Sequence, residues 1–125
     1  LLVTGYVPDV TPYFSGCRVS IAPLRYGAGV KGKINLAMSY GLPVVATTPS
    51  VEGMFLKPGE DVVVADEAEA FAAAIVRVYH DEALWQRLAA GGRDNIRNHF
   101  SRDVARSTIT RLIALARGNS KAKSA

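Results

Sequence analysis

Between Arg25 and Lys33 the sequence reads RYGAGVKGK, and INLAMSYGLPVVAT follows. Gly27, Gly29 and Gly32 fit the G-x-G-x-x-G turn of dinucleotide-binding proteins, whereas Gly27, Gly32 and Lys33 fit the opening of the phosphate loop G-x-x-x-x-G-K-[ST]. The two patterns exclude each other. The phosphate loop needs a hydroxyl residue to hold magnesium, but Ile34 stands there, and no later strand ends in an acid: PVVAT runs into Thr47 and Thr48. The dinucleotide turn needs an acid at the end of the next strand for a ribose. Glu52 lies several residues past it, and Arg25 and Tyr26 lengthen the junction before the turn. What the patterns share survives both objections. Glycines let the main chain approach a ligand, and a helix beginning near Lys31 presents unpaired N–H groups and a partial positive charge. The expected guest is an anion, held by Lys31, Lys33 and the amides of Gly29 and Val30, with Arg25 at the mouth of the loop.

Other reactive residue types carry less. His80 and His99 fall at helix boundaries away from the glycine loop, where helix-end charge or exposure accounts for them. Asp9 reads as a helix cap and Trp85 as a packing anchor. The single cysteine, Cys17, excludes an internal disulfide and a cysteine-based zinc cluster, and beside an apolar strand it reads as a buried structural thiol. A formal charge of +4 gathers late, at Arg102, Arg106, Arg111, Arg117, Lys121 and Lys123, as a solvated helix face and tail, with no stacking pattern that points to nucleic acid.

The elements that must position the loop follow from the apolar runs. LLVTGYV, CRVSIAPL, LPVVAT and DVVVA are short, β-branched and not alternating, as strands covered on both faces are. Between them, DVTPYFSG makes a short helix capped by Asp9 with Pro12 in its first turn. Lys31 to Tyr40 makes another, burying Ile34, Ala37 and Met38 and stopped by Gly41 and Pro43. The fold class expected is α/β: a Rossmann-like open parallel sheet flanked by helices. A later helix starts near Asp66 and buries Phe71, Ile75, Val78 and Tyr79; the next carries Leu84, Leu88 and Ile96 and is weakened at Gly91 and Gly92. Ser101 caps the last, with Val104, Thr108, Leu112 and Leu115 buried. Residues 1–117 read as one domain and 118–125 as a disordered tail. The abrupt apolar start, without Met or linker, is that of a fragment, and no run reaches the ~20 apolar residues of a membrane span.

Taken in order, GYVPDVTPYFSGCRVSIAPLRYGAGVKGKINLAMSYGLPVVATTPSVEGM and GEDVVVADEAEAFAAAIVRVYHDEALWQRLAAGGRDNIRNHFS resemble the C-terminal, donor-binding half of GT-B glycosyltransferases near the group 1, or family 4, sequences. The likeness runs from about Gly5 to Leu115. It implies a nucleotide-diphospho-sugar donor held between two Rossmann-like domains, with the acceptor bound mainly by the N-terminal one. Gly5, Tyr6 and Val7 would lie near the base, and Gly27 to Lys33 over the sugar and diphosphate. Retaining relatives carry two glutamates separated by seven residues, at positions that here hold Ala28 and Leu36. Asn35 would then offer the donor's ribose hydroxyls an acceptor. Glu52 reads either as an exposed loop acid or, with Gly53, as a contact to donor hydroxyls.

The resemblance implies no cofactor and no metal, a cytoplasmic protein at or near the inner face of the membrane, and a polysaccharide, glycolipid or related acceptor. Its partners would be the donor, the N-terminal domain and, through an exposed sheet edge, a second copy, with peripheral membrane contact and no nucleic acid. These residues alone would bind rather than catalyse. The rival readings are a degenerate domain kept for assembly or carbohydrate recognition, and a dinucleotide-binding domain.

Overall fold

The computed structural model describes residues 2–122, and side chains as far as residue 116. Strands β1 (Ser20–Ala22), β2 (Val44–Ala46) and β3 (Val63–Val64) form a parallel sheet in the order β1-β2-β3. Ser20 faces Val44 in register, and Val45 faces Val63. Parallel neighbours require a crossover; α2 (Gly32–Ser39) supplies the first, and α3 (Thr48–Val51) with the loop after it supplies the second. Helix α1 (Thr11–Gly16) precedes the sheet. Helices α4 (Ala68–His80) and α5 (Glu82–Asn95), a π-helical turn (Ile96–Phe100) and α6 (Arg102–Ala122) follow it. This is the open, helix-flanked parallel sheet that the apolar runs imply.

The central strand explains why its run is apolar without alternation, since Val44, Val45 and Ala46 are all fully buried. Val44 and Ala46 face Ile34, Ala37 and Met38 of α2 together with Met54 and Val62, while Val45 faces Val78 of α4 and Leu84 and Leu88 of α5. Helix α2 ends as its sequence demands. Gly41, at φ 72°, donates to Met38 O (2.9 Å) and Leu42 N–H to Ala37 O (3.0 Å), the paired bonds that close a helix through a left-handed residue.

Several expectations are corrected. LLVTGYV is not a strand: residues 2–7 run irregularly along the surface, with no strand beside them to pair with among the described residues. Asp9 sits one residue before the cap position, Val10, and its Oδ1 accepts the Thr11 N–H at 2.9 Å. Cys17 is exposed, because β1 starts only at Ser20 and leaves the thiol in the loop after α1. Tyr79, Leu112 and Leu115 are more than half exposed, so the buried stripes of α4 and α6 are narrower than the spacing suggests. Helix α5 passes through Gly91 and Gly92 unbroken. Ser101 does accept the Val104 N–H (3.3 Å), and α6 runs to Ala122. The rest of the expected disordered tail, residues 123–125, lies outside the described residues. Among those described, no helix is long and apolar enough to cross a membrane.

Candidate functional site

The glycine loop leaves the carboxyl end of β1, the edge at which open parallel sheets receive ligands. Its departure is fixed by two hydroxyls that follow β2, from Thr47 at the cap of α3 and Ser50 within α3. The Thr47 hydroxyl donates to Leu24 O, and the buried Ser50 hydroxyl donates to Ala22 O at 2.6 Å. The turn itself needs glycine at Gly27 (φ 149°) and Gly29 (φ 75°), where a side chain would be strained although nothing crowds the Gly29 position.

Lys31 is the N-cap of α2, in extended conformation, as the sequence places it. Ile34 N–H and Asn35 N–H turn back to Lys31 O (2.9 and 3.2 Å), while the amides of Gly32 and Lys33 have no acceptor among the described residues. No acid lies in the first turn to offset the helix dipole. Lys31 is only 8% exposed, and its Nζ, fully buried, has no hydrogen-bond partner among the described residues. One turn on, the Asn35 Oδ1 is likewise buried and unpartnered. A buried polar group left unpaired is costly, and such groups call for a partner: an ordered water, an ion or a ligand.

The other sequence-selected residues are distributed around this point. Lys33 and Val30 are exposed. Arg25 is exposed and lines a cavity of about 680 Å³, walled by Ile21, Leu24, Phe71 and Ile75, with Asp66 at its rim. Gly5 and Tyr6 are exposed and Val7 is half-buried in the irregular leading segment. Glu52 ends α3, exposed, before Gly53 at φ 75°. Leu36 is 38% exposed.

Three contributors escaped the sequence reading. Met54, fully buried, accepts the Lys31 N–H on Sδ at 3.2 Å, tying the loop after α3 to the start of α2. Phe55 has φ 57°, and Asn95 donates to the carbonyls at this corner. MFL reads as ordinary core, and an asparagine three residues after Gly92 reads as a helix end, so no local signal marks them.

Asp66 adds a titratable element. Its carboxylate accepts the Thr48 N–H and the Thr48 hydroxyl, each at 2.7 Å, and these two bonds, backbone first, hold it below the usual carboxylate range. A group depressed on folding stabilises above its unfolded pKa and loses that contribution as pH falls through the folded value. An NMR titration is therefore expected to place the Asp66 midpoint below that of an ordinary aspartate, with the Thr48 amide moving at the same pH. Asp66→Asn should remove that transition; a midpoint at the ordinary value would show that the Thr48 bonds do not form.

Comparison with known proteins gives this geometry a setting. Residues 1–81 match the family described as Glycosyl transferases group 1. The chain is 34% identical over 113 residues to the lipopolysaccharide core biosynthesis glycosyltransferase LpsE of Rhizobium meliloti (strain 1021), covering 88% of this chain and 33% of LpsE. Its fold is similar to that of sucrose-phosphate synthase from Thermosynechococcus elongatus, with TM-score 0.75, 23% identity, 88% of this chain and 28% of that one. It is also similar to the C-terminal domain of a glycosyl transferase group 1 family protein, LpcC, from Francisella tularensis, with TM-score 0.68, 14% identity, 78% of this chain and 52% of that one. The chain thus spans about a third of the length of LpsE. With an anion-suited helix start on an open parallel sheet and a family match over residues 1–81, this chain belongs to the group 1 glycosyl transferases.

Proposed function

We propose that these residues form the donor-binding part of a glycosyltransferase, with the diphosphate of a nucleotide-sugar at the N-terminus of α2. The observation that carries this is the buried, unpartnered Nζ of Lys31 at the cap of a helix with no first-turn acid. Nucleoside diphosphate oxygens would accept from Lys31 Nζ and from the free amides of Gly32 and Lys33, and Lys33 would add charge from solvent. Gly29 lets the main chain reach the phosphates, and Asn35 Oδ1 offers an acceptor to a donor hydroxyl.

The chemistry follows from where charge develops. As the sugar–phosphate C–O bond breaks, negative charge accumulates on the departing diphosphate, and dipoles and cations already aimed there lower the barrier without reorganisation. The acceptor and any base would come from the rest of the protein, since the chain spans only part of its relatives. The similarity to LpsE, a lipopolysaccharide core biosynthesis glycosyltransferase, supports a polysaccharide or glycolipid as the acceptor class, and we take the protein to act in the cytoplasm, at or near the inner face of the membrane.

Calorimetry of the intact protein with UDP, GDP and ADP tests this reading. One of them is expected to saturate below millimolar concentration. Ala28 and Leu36, in place of two carboxylates, favour a second reading, a domain kept for assembly alone. Failure of all three nucleotides to bind would support it, and preference for NAD would point to a dinucleotide site.

A further inference from the structure

Resting on that reading of the α2 loop, the geometry points to Asn95 as a positioning residue for the diphosphate site, acting through a strained corner at Met54 and Phe55. Asn95 is the last residue of α5 and is 5% exposed. Its side-chain amide donates to two successive carbonyls, Met54 O at 3.3 Å and Phe55 O at 3.0 Å. Both carbonyls of the corner therefore depend on one NH2 group. Phe55 is what needs the support: its φ of 57° is the only positive value at a non-glycine residue among those described. A Cβ-bearing residue is disfavoured in the left-handed region and stays there only where its surroundings hold it. The π-helical turn that follows Asn95 brings His99 against the corner from the other side, its ring stacked on Phe55 at 4.6 Å and 11°. Such turns recur where a helix must present a residue out of its regular register.

The corner is connected to both loops assigned to the donor. The Met54 sulfur accepts the Lys31 N–H, so its position sets where the cap of α2 and the Lys31 side chain begin. Glu52 and Gly53 lead directly into it. A shift at residues 54–55 moves both loops together. Asn95 acts on them through this corner, whose carbonyls it binds, and needs no contact of its own with the donor.

The test uses the intact protein, titrated with UDP, GDP and ADP well below its melting temperature. Asn95→Ala is expected to weaken nucleotide binding roughly tenfold, the scale of releasing one strained backbone conformation. Glycine adopts the left-handed region freely, so Phe55→Gly should bind like wild type, and Asn95→Ala with Phe55→Gly should recover most of the loss. A purely structural asparagine would show no such rescue of affinity. Phe55→Val, β-branched and worse in this region, should weaken binding with Asn95 intact, which keeps the idea testable if Asn95→Ala does not fold. Wild-type affinity in a folded Asn95→Ala protein, a double variant no better than the single, or Phe55→Val binding as well as Phe55→Gly each overturns the positioning role. A wild-type protein that binds none of the three nucleotides removes the donor reading, and this role with it.

Discussion

Lys31→Met is expected to make the protein more stable and a poorer binder at the same time. Methionine matches the length and flexibility of the lysine stem and fills the same buried space without a charge. In the free protein the change relieves a buried amine that has no partner, worth about 1 to 3 kcal/mol, or a melting temperature several degrees higher. With nucleotide present it removes a charge-assisted bond to phosphate, worth about 1.5 to 3 kcal/mol, so affinity should fall by roughly ten- to a hundredfold. Opposite signs are the diagnostic. A residue kept for packing would lose stability on substitution and leave affinity alone; one kept for a ligand carries its cost in the free state. Thermal melts with and without UDP, GDP or ADP read both effects together, and a variant that is less stable yet binds normally would refute the assignment.

The second large effect is at Gly91, where helix propensity gives the wrong sign. Alanine is better than glycine in a helix interior by about 1 kcal/mol, and Gly91 lies inside α5. A Cβ at this position, however, would stand 2.6 Å from Glu60 O, 2.7 Å from Asp61 Oδ1 and 3.1 Å from Glu60 C. The obstacle is largely backbone, so α5 and the loop leading into β3 would have to separate. Gly91→Ala is expected to destabilise by about 1 to 3 kcal/mol despite the propensity gain, read as a lower urea midpoint at unchanged slope. Gly92→Ala is the control. Its nearest neighbour is the Met38 side chain, with Cγ at 3.0 Å, which is flexible and can yield, so the loss should be smaller. Equal or greater stability in Gly91→Ala would show that the close approach is not required.

These positions also mark how far the sequence could be read. The alternation of β-branched runs with helical spacing implied an open parallel sheet, and the glycine and lysine spacing after the second run implied a helix start near Lys31, which is the N-cap of α2. Both are local: periodicity and turn chemistry act over a few neighbouring residues, and a helix cap is set by its own turn. Tertiary structure decided what depends on distant partners. It left residues 2–7 unpaired, since a strand needs a neighbour, and it exposed Cys17. It turned the apparent weakness of Gly91 into a contact with the 60–61 loop. It also buried the Lys31 Nζ without a partner among the described residues and braced the Phe55 corner from Asn95, 40 residues further along the chain. Composition and spacing report what a segment prefers, whereas burial, strain and unsatisfied charge exist only once segments far apart in sequence compete for the same space.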